Sequence, residues 1–224
     1  MSNISSLPTE ILAARILDNS VQLGFHISAA ESLTGGLLAD AFVSVPGASK
    51  VFCGSAVTYD IHAKSKILGV DAHLLQTEGA VFKDVAMQMA VGTSRIYRGA
   101  GWKYEDQSAD DSADDSADDS RFPIIGLSTT GVAGPGPDGN KPAGLVYVGI
   151  RLPKVCDFSD CILQKSRSFL EFDCVSDFWN YDSNGNIVLV FELRLDGSRE
   201  QVRRSTVHTL LGMLNDLLSL LSNK

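Results

Sequence analysis

A chain of 224 residues with 44% hydrophobic side chains is long enough to bury a sizeable core in one domain. Its net charge of −8 is local: residues 105–120 hold eight acidic side chains and no Lys or Arg, leaving 19 of the 27 acidic residues against 19 basic ones elsewhere. With no long apolar run and no basic patch interleaved with aromatics, the sequence predicts neither a membrane span nor a nucleic-acid surface.

Met1–Ser6 lacks the basic start and apolar stretch of a signal peptide, so a cytoplasmic protein is expected. Ser6-Leu7-Pro8 opens a helix with Ile11, Leu12, Ile16 and Val21 near helical spacing, ending at Gly24. Phe25–Ala30 reads as a short strand that runs into Ser32. Thr34–Val45 is then a helix stopped by Pro46-Gly47. Val51–Tyr59 reads as a buried strand, followed by a helical turn over Ala63–Leu68 with Gly69 as its stop. Lys83–Arg98 is a helix with Val85, Met89 and Ile96 on roughly one side.

Residues 107–120 contain Ser-Ala-Asp-Asp three times, a composition that repels itself and buries nothing. A disordered acidic insertion is expected at 103–121. Phe122–Thr129 is a strand that enters the glycine and proline loop Gly131–Gly144, and Leu145–Leu152 is the next strand. Residues 153–186 read as a second insertion with structure of its own and a hairpin signal at Asn184-Gly185. Ile187–Leu195 is a strand. Ser198 and Gln201 form a capping box for a final helix whose apolar stripe runs from Val207 to Leu221. Strands alternating with helices predict a single α/β domain over 1–224. The expected architecture is a three-layer α/β/α sandwich with a mostly parallel, mixed sheet of about five strands.

Four cysteines (Cys53, Cys156, Cys161, Cys174) lack paired metal-ligand spacing, and His26, His62, His73 and His208 are scattered. No metal and no cofactor are expected. Ser32 lies where a strand becomes a helix, an edge at which open α/β sheets collect ligands. Capping of the next helix by Ser32 or Thr34 is the competing reading. A serine hydroxyl needs a base, and Lys64 can be one if its environment lowers its pKa. Tyr59, five residues earlier, could relay a proton or hold the lysine. The Gly131–Pro135 loop allows close backbone approach to a ligand, or is an ordinary turn. Arg203 points inward from the final helix, with Arg199 on the same face. An inward arginine requires an anionic partner, either a substrate phosphate or an internal carboxylate.

Three segments together resemble the CinA C-terminal domain family, which includes stand-alone nicotinamide-nucleotide amidases. They are Ala30-Glu31-Ser32-Leu33-Thr34-Gly35-Gly36, Val57-Thr58-Tyr59 with Ala63-Lys64, and Thr130-Gly131-Val132-Ala133-Gly134-Pro135 with Lys141-Pro142-Ala143-Gly144. Gly197-Ser198-Arg199 with Val202-Arg203 adds a fourth. The resemblance implies hydrolysis of nicotinamide mononucleotide to nicotinate mononucleotide and ammonia, and self-association as a homo-oligomer. It implies Ser32 as nucleophile, Lys64 as base with Tyr59 assisting, and backbone N–H groups around Thr34, Gly35 and Gly36 as oxyanion donors. From their chemistry rather than from the resemblance, the loop carrying Thr130, Gly131 and Gly134, and Arg203 with Arg199, are expected to bind ribose or phosphate. Ile61-His62 and Phe82 depart from the family's usual residues, which bears on substrate preference, whereas Ser198 in place of the usual Asp is a mild change because both cap a helix. A nucleotide-binding regulatory module without turnover, or a hydrolase of another amide, are the alternatives.

Overall fold

The structure is a computed structural model that describes residues 7–97, 123–154 and 174–222. The acidic insertion expected at 103–121 lies outside the described residues, as do residues 155–173 of the second insertion. In chain order the elements are α1 (Thr9–Leu23), β1 (His26–Glu31), α2 (Leu37–Val43), β2 (Phe52–Val57), α3 (Ile61–Leu68), α4 (Ala72–Glu78) and α5 (Lys83–Ile96). β3 (Ile124–Gly131), β4 (Leu145–Leu152), β5 (Cys174–Tyr181), β6 (Ile187–Arg194) and α6 (Arg199–Ser222) follow.

The six strands form one sheet in the order β2-β1-β3-β4-β6-β5. β1 pairs parallel with β2 and β3, whereas β4, β6 and β5 are antiparallel to their neighbours. The sheet is therefore mixed, with three antiparallel pairings to two parallel ones rather than mostly parallel, and with one strand more than expected. The extra strand is β5, which returns through the turn at Asn184-Gly185 and pairs with β6. An antiparallel partner needs only a short turn, so that turn signal carried the hairpin.

Side-chain alternation divides the core into layers. Ile27 and Ala29 of β1, Val146, Val148 and Ile150 of β4, and Leu189, Phe191 and Leu193 of β6 pack with α1, α2 and α6. Ala30 of β1 and Tyr147 of β4 turn to the other face, toward α3 and α5. This is the α/β/α arrangement expected. Among the described residues no helix is long and apolar enough to cross a membrane.

Three elements differ from the sequence reading for local reasons. In α1 the buried apolar residues are Leu12, Ala13, Ile16 and Leu17, while Ile11 and Val21 are exposed. β2 is not a buried strand: it forms the sheet edge and is half-exposed along its length. α2 begins at Leu37 rather than Thr34, because Gly35 and Gly36 adopt the left-handed conformation.

α5 lies close on β3 because Gly126 has no side chain. A Cβ there would run into the Ala90 carbonyl of α5. Gly126→Ala is expected to destabilise the fold by about 1–3 kcal/mol through overpacking, measured by chemical denaturation.

Candidate active site

The parallel strands β1, β2 and β3 end on one edge of the sheet, and the loops leaving them build the site. The Ser32 N–H donates to the Thr129 carbonyl at 3.0 Å, which carries the β1–β3 ladder one residue beyond Glu31. Thr58 N–H donates likewise to the Glu31 carbonyl at 2.9 Å on the β2 side. Ser32 is thus fixed by backbone bonding on the floor of the edge, and only 8% of its surface is exposed.

The loop that follows is shaped by Glu31, whose carboxylate is fully buried. Its Oε2 accepts from Thr34 Oγ1 at 2.8 Å, Gly36 N–H at 2.9 Å and Leu38 N–H at 3.0 Å. Its Oε1 accepts from Ala39 N–H at 3.0 Å and Ser55 Oγ at 2.8 Å. Glu31 is the cap of α2, where a negative charge suits the helix N-terminus. Neither Ser32 nor Thr34 fills that place. Because Thr34 gives its proton to Glu31, the Thr129 hydroxyl donates to Thr34 Oγ1, at 2.8 Å. Sequence reasoning missed Glu31; its signal was an acidic residue just before the Ser-x-Thr-Gly-Gly turn.

Lys64 reaches Ser32 from α3. The helix is started by Asp60, whose carboxylate accepts from the His62 and Ala63 N–H groups, and closed by left-handed Gly69. Lys64 is fully buried, and its Nζ donates to Ser32 Oγ at 3.0 Å and to the Thr58 carbonyl. Burial lowers its pKa to about 8, with the Asp60 charge pulling weakly the other way. A lysine at that pKa has an appreciable neutral fraction near physiological pH, which a proton acceptor requires.

The other residues singled out in the sequence are held in the loops around Ser32 and Lys64. Tyr59 is 61% exposed, and its hydroxyl accepts from Arg199 Nη2 at 2.9 Å rather than bridging Ser32 and Lys64. Arg199 Nη1 also donates to the Gly134 carbonyl at 2.8 Å, so this arginine joins the loops after β2 and β3. Arg203 has no carboxylate partner among the described residues: Nε donates to the Leu33 carbonyl at 2.8 Å and an Nη to the Thr34 carbonyl at 2.7 Å. The partial charge of carbonyls at a tight turn stands where an internal carboxylate was the alternative. Thr130 donates to the Ala80 carbonyl at 2.7 Å, and Gly131 is small because a Cβ would strike Leu145 and Val146. Gly134 is left-handed, at φ 79°.

The set of open loop amides is narrower than expected. Gly36 N–H is taken by Glu31 and Gly35 N–H by the Ser32 carbonyl. The loop amides with no acceptor among the described residues are Leu33 and Thr34. Of the departures noted, Ile61 and Phe82 pack against the α5-side core, with the Lys141 ammonium 5.5 Å from the Phe82 ring centre, while the His62 ring is exposed on Asp60. The Ser198–Gln201 capping box forms in both directions.

One family model, described as the CinA C-terminal domain, matches residues 9–100 and 116–177. A CinA-like protein of Frankia casuarinae is 39% identical over 138 residues, 62% of this chain and 26% of that protein. A CinA-like protein of Dictyoglomus turgidum is 36% identical over 149 residues, 66% of this chain and 30% of that one. The chain thus spans less than a third of the length of these two curated relatives. Among solved structures, the competence/damage inducible protein CihA from Agrobacterium tumefaciens superposes with a TM-score of 0.64 at 30% identity, over 93% of this chain and 94% of that one. A CinA superfamily protein from Klebsiella pneumoniae superposes with a TM-score of 0.67 at 21% identity, over 96% and 99%, a likeness of fold.

Glu31 and Lys64 should respond to substitution in opposite directions. Glu31→Gln sets an amide NH2 among N–H and O–H donors, and should destabilise the fold by on the order of 3 kcal/mol. Lys64→Met removes a buried ammonium and should raise stability by roughly 1 kcal/mol while abolishing any activity that needs the amine. Denaturant midpoints of the two variants check both signs.

Proposed function

The chain belongs to the CinA C-terminal domain family, and we propose that it is an amidohydrolase converting nicotinamide mononucleotide to nicotinate mononucleotide and ammonia. The observation that carries this reading is the buried Lys64 amine 3.0 Å from Ser32 Oγ, at a pKa of about 8. A lysine kept from water and given only neutral oxygens is suited to leave its proton, and a serine beside it is the atom it would activate.

In the proposed reaction neutral Lys64 takes the Ser32 proton as Oγ attacks the carboxamide carbon. The Leu33 and Thr34 N–H groups stabilise the oxyanion, at roughly 2.7–4 kcal/mol for such a donor in comparable sites. Collapse breaks the C–N bond, with Lys64 returning the proton to the departing ammonia. Water then cleaves the acyl–Ser32 ester and restores the hydroxyl. Among the described residues neither Arg199 nor Arg203 has a carboxylate partner. Arg199, at the mouth and exposed, is the better placed to meet the substrate phosphate; Arg203 shapes the Ser32 loop.

Incubation of the purified protein with nicotinamide mononucleotide, following ammonia and the acid product, tests the reading. Ser32→Ala and Lys64→Ala should each lower turnover by about 10²-fold or more. Loss of turnover in both is the expected result; binding without turnover in the wild type would point to the regulatory module instead.

The pH profile supplies a separate check. Below about 8 Lys64 is protonated and cannot accept the serine proton, so kcat/KM should climb about tenfold per pH unit up to that value and then level. A flat profile between pH 6 and 9 would exclude Lys64 as the base.

A further inference from the structure

The β1–β2 register sets a second hydroxyl beside the nucleophile. Ala30 pairs with Ala56 and Glu31 with Val57, so one step further Ser32 faces Thr58. Ala30 and Ala56 both turn to the α5-side core, and strand alternation sends the side chains two residues on to that same face. It is the face from which Lys64 reaches Ser32, and the Thr58 carbonyl is the other acceptor of the Lys64 amine. Thr58 is fully buried, yet its Oγ1 has no hydrogen-bond partner among the described residues. The Ser32 hydroxyl, by contrast, is engaged by Lys64.

A buried hydroxyl left unpaired is costly, and such groups are commonly satisfied by an ordered water. A valine of the same shape would avoid the cost, so the hydroxyl calls for an explanation. The mechanism above needs one further component, a water held near Ser32 Oγ and the Lys64 amine for the second half-reaction.

We propose that the Thr58 hydroxyl holds and orients the water that hydrolyses the acyl–Ser32 ester. This rests on the serine–lysine reading of the site. In that step the water oxygen bonds to the acyl carbon while one water proton passes to the neutral Lys64 amine. The carbon–Oγ bond then breaks, and Lys64 returns the proton to Ser32 Oγ, releasing the acid. Thr58 keeps its own proton throughout. Its contribution falls on deacylation, because acylation uses no water.

The test separates the two half-reactions with p-nitrophenyl acetate, an activated ester that needs no nucleotide recognition. Wild-type protein should release p-nitrophenol in a burst, as Ser32 is acylated, followed by a slower steady phase. Thr58→Val should keep the burst and slow the steady phase by about tenfold or more, the loss expected for one well-placed hydrogen bond. Thr58→Ser, which retains the hydroxyl, should stay within about twofold of wild type on the same scale. Hydroxylamine, which attacks the ester without needing a positioned water, should restore the steady phase of Thr58→Val. The proposal is overturned if valine leaves both phases unchanged, slows both equally, or is matched by serine. A wild-type burst without turnover of nicotinamide mononucleotide would remove the nucleotide reading, and Thr58 would still be judged on the two phases. Release of p-nitrophenol unchanged by Ser32→Ala, in burst and steady phase alike, would overturn Ser32 as nucleophile and the Thr58 role with it.

Discussion

The Glu31 carboxylate accepts five hydrogen bonds inside the protein, and the shape of the loop that carries Ser32 depends on it. Three of the donors are backbone N–H groups at the start of α2, which a helix cannot satisfy from within. Another is Ser55 on β2, so one side chain ties two strand ends to a helix. The geometry removes Gly36 N–H from the ligand's reach and leaves Leu33 and Thr34 as the open amides. The position of Ser32 and the choice of which loop amides stay open therefore follow from the residue before the serine. Arg203 holds the same loop from outside through the Leu33 and Thr34 carbonyls, and the loop is gripped on both its donors and its acceptors.

Two cations are fully buried in the described core, and their surroundings show how burial is made tolerable in different ways. Arg151 is given a carboxylate, with Nε 3.2 Å from Asp182, and its Nη1 donates to the Ile124 carbonyl. A guanidinium cannot lose its proton, so a buried one requires such a partner. Lys64 is given only a hydroxyl and a carbonyl. Asp60, whose charge acts on it, is turned outward to cap α3 and lies largely in solvent. An amine in that setting relieves its desolvation by deprotonating, and a carboxylate in contact would have removed the drive to do so. The same fold thus contains a buried cation arranged for stability and another arranged to change charge.

Most of the architecture was legible from pattern. The α6 stripe, the alternation of β4 and β6 and the turn at Asn184-Gly185 each depend on local periodicity, which sequence displays directly. The Ser32 junction was legible for the same reason, since a strand pattern ended at a small polar residue before two glycines. Glu31 was not, because it occupies the last position of a strand and its partners are mostly backbone groups with no sequence signature. Tyr59 and Arg199 were each singled out separately, yet their contact spans 140 positions and nothing local encodes it. The inward direction of Arg203 was correct; its partners were missed because carbonyls of a turn are invisible in residue identity. β2 read as buried because its composition is apolar, whereas edge position is a property of topology.

The two faces of β1 divide the labour in a way that constrains how such a site can change. Ala30 and Ser32 face α3 and α5, where Lys64 and Thr58 lie, and Glu31 faces α2, where the loop is capped. A strand repeats every two residues, so neighbouring positions cannot exchange roles without a slip of register. A slip would carry Ser32 into the capping position and Glu31 toward the buried amine. There a carboxylate would pair with Lys64 and raise its pKa, and the group available to accept a proton would be lost. The ladders from Glu31 and Ser32 to β2 and β3 oppose that slip at both neighbours. Reactivity at Lys64 is in this sense a consequence of sheet register as much as of the residues themselves.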